Sequence, residues 1–149
     1  MELKNDSQKR VKIMKKMHEH EIDYKGWKIL ITDQNPKDMS ASAIVIPSSE
    51  QLSPKYISQE YEALVTKAGR EYKTACKHYK EEHIRLKTGF ATVFPSGKLN
   101  CDKTIPAAGP VYKEGTDNHW EETQLMKKTM FNIFDRIVDF NFSKIILLY

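Results

Sequence analysis

Only two cysteines, six prolines and six glycines are spread over the 149 residues, so the chain is neither a disulfide-stapled scaffold nor a collagen-like or low-complexity polymer. Cys76 and Cys101 form no metal-like or redox-like cluster and read as reduced thiols, Cys76 lying on the apolar face of a helix as a small core residue. No window approaches the roughly 20 apolar residues of a membrane span. The lysine-rich start "MELKNDSQKRVKIMKKMHEHEID" lacks the apolar centre of a secretory signal. A soluble, intracellular protein is the expectation, cytoplasmic or nuclear, with no membrane partner.

Conventional catalytic and ligand motifs are missing as well. The five histidines, His18, His20, His78, His83 and His119, make no pair at a helical spacing of three or four, which argues against a metal site. The glycine-containing loops "KAGR", "KTGF", "PSGK", "AAGP" and "KEGT" match neither a Walker loop nor a dinucleotide fingerprint. No serine stands in a G-x-S-x-G setting, and neither cysteine has a base near it in sequence. The net charge of +4 comes from lysines scattered along helical stretches, and no aromatic interleaving accompanies them, so nucleic acid is not an expected partner.

What the sequence does contain is alternating helix and strand patterning. Val11, Met14 and Met17 predict a short amphipathic helix over about Ser7 to His20. "WKILI" (Trp27 to Ile31) and "SAIVIP" (Ser42 to Pro47) read as strands, the second apolar throughout and therefore central in a sheet covered on both faces. Ser53 and Pro54 open the strongest helical pattern, predicted continuous to about Glu81, with Ile57, Tyr61, Leu64, Val65, Ala68, Tyr72, Ala75, Cys76 and Tyr79 on one face. "FATVF" and "KTIPAAG" flank a "PSGKLN" turn. A second helix follows, capped by Asp117 or Asn118, with Met126, Met130, Phe134, Ile137 and Val138 as its expected buried stripe, and "KIILLY" is a last strand. The order predicts an α/β three-layer sandwich with a mixed, mostly parallel sheet flanked by helices. One domain over residues 1–149 is expected, with 1–26 as helix and lead-in.

One stretch points further. "TGFATVFPSGKLNCDKTIPAAGPVY", Thr88 to Tyr112, resembles the middle of a macrodomain, where "TG-x-A-x-x-T-x-G-x-L" leads into "K-x-V-I-H-x-V-G-P-x-W/Y"; the shared order is Thr88, Gly89, Ala91, Gly97, Leu99, Lys103, Ile105, Gly109 and Pro110. Upstream, "SAIVIPSSEQL" resembles the family's "DAIVNAANxxL" and "ALVTKAG" resembles "AIHRAAG"; downstream, "FSKIILLY" is similar to "IKSIAFPAI". The resemblance spans Trp27 to Tyr149.

It implies the macrodomain fold and a site for ADP-ribose or ADP-ribosylated protein. By resemblance, Asp33 of "ITDQN" stands where an Asp bonds the adenine amino group, and Gln34 replaces the usual Ile beside it. Ser49 stands where the second Asn of "NAAN" contacts the distal ribose and orients water in hydrolytic members, and Ile46 stands at the first Asn. The glycine-rich phosphate loop corresponds to "SPKYISQEY", which has no glycine. Pro106 replaces the His of "V-I-H", and a Pro there implies a strand that is kinked, short or at an edge. In the family the strand resembling "KIILLY" runs into a second glycine-rich loop, a helix and a last strand, and this sequence stops at Tyr149 before any match to them. The expected consequence is a strand edge closed by "WKILI" or filled by a second copy or another protein. The resemblance therefore implies a divergent, non-catalytic module with weakened or lost ADP-ribose binding that acts through protein interaction; the alternatives are a functional ADP-ribose-binding macrodomain and, behind it, an ADP-ribosyl hydrolase.

Overall fold

The structure, a computed structural model, describes residues 20–24, 27–31, 34, 38–53 and 59–147. The chain divides into two compact units, residues 1–35 and 36–149. In the first, β1 (His20–Tyr24) and β2 (Trp27–Ile31) form a two-stranded antiparallel sheet in register from His20–Ile31 to Tyr24–Trp27. His20, expected to end a helix, instead begins a strand; residues 7–19 of that helix lie outside the described residues.

The second unit is built on β3 (Ala41–Pro47), α1 (Gln59–Ala68), α2 (Arg70–His83), β4 (Phe94–Pro95), β5 (Cys101–Ala107), α3 (Trp120–Asp139) and β6 (Ile145–Leu147). Its sheet runs in the order β4-β5-β3-β6. β3 pairs in parallel with both β5 and β6, and β4 joins β5 antiparallel, which gives the mixed, mostly parallel sheet expected. "WKILI" does not close the edge of "KIILLY": its partner is β1, in the separate two-stranded sheet.

The side chains of β3 explain the layering. Ile44 and Ile46 point into a cluster with Leu64, Val65, Ala68, Tyr72 and Cys76 from α1 and α2, while Ala43 and Val45 point oppositely into a cluster with Ile133 and Ile137 from α3. Successive strand residues face opposite sides, so a strand with helices on both faces must be apolar at every position. β3 fits that requirement from Ala43 to Ile46, while Ser42 at its start accepts from the Ser143 and Lys144 N–H groups.

Three expectations are corrected. The long helix breaks at Gly69, whose φ of +83° is left-handed backbone open to glycine, and α2 begins one residue later. Its predicted apolar face survives the break, because Leu64, Val65, Ala68, Tyr72 and Cys76 are all buried; Pro54 to Ser58 lie outside the described residues. On α3 the buried side chains are Glu122, Thr129, Ile133 and Ile137, so of the expected stripe only Ile137 is buried; Phe134 and Val138 are exposed. The helix is rotated because Asn132 donates from Nδ2 to the Gly89 carbonyl at 2.7 Å, and Ile133 with Ile137 settle over the small residues Ala91 and Ala107. The helix also starts after His119 rather than at Asp117 or Asn118, although the Asn118 side chain still accepts a bond from the Trp120 N–H at 3.3 Å.

The third concerns Pro106, which lies buried in the seven-residue central strand β5 opposite Ile46. The Pro106 carbonyl accepts from the Thr92 N–H at 3.1 Å, so this residue's hydrogen-bonding side faces the irregular segment entering β4. The missing N–H therefore costs the β3–β5 ladder nothing. Strand "FATVF" shortens correspondingly to β4 plus an isolated bridge from Ala91 to Ala107.

Both cysteines are free thiols, Cys76 buried and Cys101 half-buried, and burial pushes both thiols up to about 11. Leu64→Ala removes a side chain from the centre of the larger cluster and is expected to cost about 2–5 kcal/mol, whereas Lys67→Ala on the exposed side of α1 is expected to cost less than about 0.5 kcal/mol. Urea denaturation of the two variants measures the difference, and equal losses would mean the buried face of α1 is wrongly assigned.

Candidate functional site

In parallel α/β sheets, ligands enter beyond the carboxyl ends of the strands, where adjacent loops diverge. Here the relevant ends are those of β3 and β5. They stay together past the strands: the Ser48 N–H donates to the Ala107 carbonyl at 2.9 Å, and the Gly89 N–H to the Ala108 carbonyl at 2.7 Å.

The loop after β3 is closed on itself by Ser49. Its Oγ accepts from the Ser53 N–H at 3.1 Å and donates to the Ser53 carbonyl at 3.1 Å, while the Leu52 N–H donates to the Ser49 carbonyl at 2.9 Å. Leu52 takes a φ of +57° to allow this turn and buries its side chain against the α1–α2 core. Of the three residues assigned by resemblance, Ser49 is thus half-buried and engaged within its own loop. Gln34 is exposed and belongs to the other compact unit, and Asp33 lies outside the described residues.

Glu50 was not legible as a site-forming residue in the sequence. Its Oε1 accepts from both the N–H and the hydroxyl of Thr88, at 3.1 and 3.0 Å, Arg85 approaches Oε2 at 3.6 Å, and the Leu86 N–H donates to the Glu50 carbonyl at 2.9 Å. These bonds fasten the loop after β3 to the Thr88–Gly89 turn. Hydrogen bonds from the Thr88 N–H and then its hydroxyl outweigh desolvation and, with a lesser contribution from Arg85, hold the Glu50 carboxyl below the usual carboxylate range.

Other residues of the recognised stretch are also structural. Gly97, at φ +57°, comes so close to the Ala68 carbonyl that a Cβ would overlap it, and the next residue, Lys98, donates its N–H to that same carbonyl at 3.0 Å. The turn between β4 and β5 therefore caps α1 where the Gly69 break leaves a carbonyl without a helical partner. "ALVTKAG" and "PSGKL", two separate pieces of the resemblance, meet at this point.

Beside the loop, residues 51–53 and the flanks of α1 and α2 border an open groove of about 360 Å³. Lys73, Lys77 and Lys80 line one side and Glu62 the other. Among the described residues no three His, Cys, Asp or Glu side chains gather as metal ligands, and no helix is long and apolar enough to cross a membrane.

A parallel-centred sheet with helices on both faces, loops tied at the carboxyl ends of β3 and β5, and a Thr-Gly turn fastened beneath them define an α/β domain of macrodomain type. The Macro domain family model matches residues 61–147, and the chain belongs to that family. Among solved structures it is similar to the Oceanobacillus iheyensis macrodomain with ADP, at 16% identity and a TM-score of 0.74, covering 87% of this chain and 67% of that one. A variant of the same macrodomain with ADPR matches at 16% identity and a TM-score of 0.73, covering 87% and 68%. The macro domain of ganglioside induced differentiation associated protein 2 matches at 20% identity and a TM-score of 0.66, covering 76% and 53%. No curated protein matches the sequence.

The Glu50 tie carries a pH signature. Because the folded carboxyl is held below its unfolded value, its contribution is present above the unfolded pKa of about 4.3 and is lost as pH falls through the lower folded value. The native chain should therefore exceed Glu50→Gln in stability at pH 7, with the gap closing below about pH 4. Thermal melts of both proteins from pH 7 to pH 3 measure it; a gap that widens on acidification would reverse the assignment.

Proposed function

We propose that this chain is a divergent macrodomain module, non-catalytic and with weakened or lost ADP-ribose binding, that acts through protein interaction in an intracellular setting, with residues 1–149 working as one domain. The observation that carries this reading is the Ser49 hydroxyl, which spends both its donor and an acceptor position on Ser53 rather than on a ligand. The glycine-free "SPKYISQEY" supports it, since glycine is the residue that lets backbone amides approach a phosphate with no Cβ in the way. Each charged contact left unmatched forfeits about 1.5–3 kcal/mol of binding. Asp33, Gln34 and Ser49 are the residual ligand-type positions, and any surviving affinity rests chiefly on Asp33. For the interaction itself, the outer edge of β6, unpaired among the described residues, suits a strand supplied by another chain.

A functional ADP-ribose-binding module is the second reading. It is favoured by the groove beside the loop after β3, whose Lys73, Lys77 and Lys80 offer positive charge to a diphosphate. The Oceanobacillus iheyensis macrodomain is described with ADP and with ADPR, which gives the ligand class. Hydrolysis of an ADP-ribosylated protein ranks third, because a Ser hydroxyl is shorter than an Asn amide and does not hold a water in the same geometry.

Calorimetric titration with ADP-ribose separates the first two readings. Heats near the buffer blank at ligand concentrations up to about 100 μM are expected; a dissociation constant of about 1–10 μM, lost in Asp33→Ala, overturns the degenerate reading and restores the binding module.

Incubation with ADP-ribosylated protein is expected to release no more ADP-ribose than buffer does. Turnover above that blank and abolished by Ser49→Ala would establish the hydrolase instead.

A further inference from the structure

α2 ends on a backbone conformation that isoleucine rarely adopts. Ile84 takes φ +69° and ψ −50°, and across it the Arg85 N–H donates to the His83 carbonyl at 2.8 Å. This is a three-residue turn of the rare, strained hand, and a β-branched side chain makes it more strained still. Leu52 and Asn141 also have left-handed φ among the described residues, but neither is β-branched. The Ile84 side chain is 81% exposed, so burial of its own does not offset the strain. Strain of this kind persists only where the surroundings hold it in place.

Here the surroundings are the ties to Glu50. Just beyond Ile84 the chain has to bury the Leu86 side chain in the cluster that also holds Leu52, and to aim the Leu86 N–H at the Glu50 carbonyl. Arg85 approaches one Glu50 carboxylate oxygen, and Thr88 donates twice to the other. All four contacts end on a single residue of the loop after β3. That loop is closed around Glu50 by Ser49 with Leu52 and Ser53. The strained turn and the loop are therefore joined through one side chain and its carbonyl.

We infer that residues 84–88 and 49–53 form a spring-loaded latch at the carboxyl end of β3, in which Glu50 holds the turn at Ile84 strained and the two segments open together when Glu50 lets go. Release of Glu50 removes its contacts with Arg85, Leu86 and Thr88 at once and lets Ile84 return to ordinary backbone. The strain recovered lowers the cost of the open state. A ligand or partner that needs this end of the sheet uncovered gains by the same factor, and one that needs it closed loses by it. Ile84 is a positioning residue that acts through Glu50. The latch holds whichever molecule the module takes.

Amide hydrogen exchange of the full chain, followed residue by residue by NMR with ADP-ribose absent, tests the latch. The Leu52, Leu86 and Thr88 amides report its opening, since their acceptors are the Ser49 carbonyl, the Glu50 carbonyl and the Glu50 carboxylate. They are expected to share one protection factor, well below that of Ile44 and Val45 in the middle of the sheet. Ile84→Gly removes the Cβ that strains the turn and should slow all three about fivefold, the part of the strain left after glycine's greater freedom in the open state. Ile84→Ala keeps a Cβ and should stay within about twofold of the native chain. In a Glu50→Ala background, or Glu50→Gln if the first does not fold, the gain from Ile84→Gly should shrink below about twofold. Slowing confined to Leu86 and Thr88, with Leu52 unchanged, overturns the inference by making the strain local to the turn. An undiminished gain without the Glu50 carboxylate overturns it too, and so does an Ile84→Gly chain that exchanges no more slowly than the native one. Exchange reads the latch and titration with ADP-ribose reads the ligand site, so the two proposals fail separately.

Discussion

Everything in the larger unit is arranged around the two-sided burial of β3. Ala43 and Val45 on one face and Ile44 and Ile46 on the other leave no polar side chain to relieve exposure, so helices must cover both sides at once. α1 and α2 supply one layer and α3 the other. The parallel partners β5 and β6 follow from this, since a strand with both faces occupied has only its edges left to satisfy its backbone.

Around that strand, the residues that carry the family resemblance act mainly as fasteners. Thr88 gives two hydrogen bonds to Glu50, Gly89 bonds the Ala108 carbonyl, and Gly97 allows the β4–β5 turn to approach the carbonyl that Gly69 leaves open at the end of α1. These are requirements of the scaffold, and they hold whatever occupies the cleft. This explains how a chain at 16–20% identity to solved macrodomains keeps their architecture while its Ser49 loop turns inward on Ser53. Fold and ligand site draw on different residues.

The surfaces show the same separation. A lysine-lined groove sits beside the loop after β3, and an aromatic stripe runs along the outer side of α3, on opposite faces of the sheet. The first offers charge and the second apolar area. The two surfaces therefore differ in chemistry as well as in place.

The sequence by itself determined the α/β class, the centrality of "SAIVIP" and the buried face running from Leu64 to Cys76, because period and apolarity encode burial directly. It identified the macrodomain resemblance through glycines and threonines whose conformational demands leave a spacing in the chain. Tertiary structure alone decided three other matters. α3 carries two apolar faces, and counting side chains favours the one with Phe134 and Val138; only the Asn132 bond to Gly89 and the small residues beneath Ile133 and Ile137 turn the other inward. Pro106 looked disruptive because a sequence does not say which way a strand residue points its hydrogen-bonding side, and here that side faces the irregular segment entering β4 rather than β3. The break at Gly69 was hidden by an apolar period that continues through it, and it becomes stable only when Lys98, some thirty residues away, reaches the carbonyl it exposes. Periodicity is a local property; the partner that satisfies a backbone carbonyl is not.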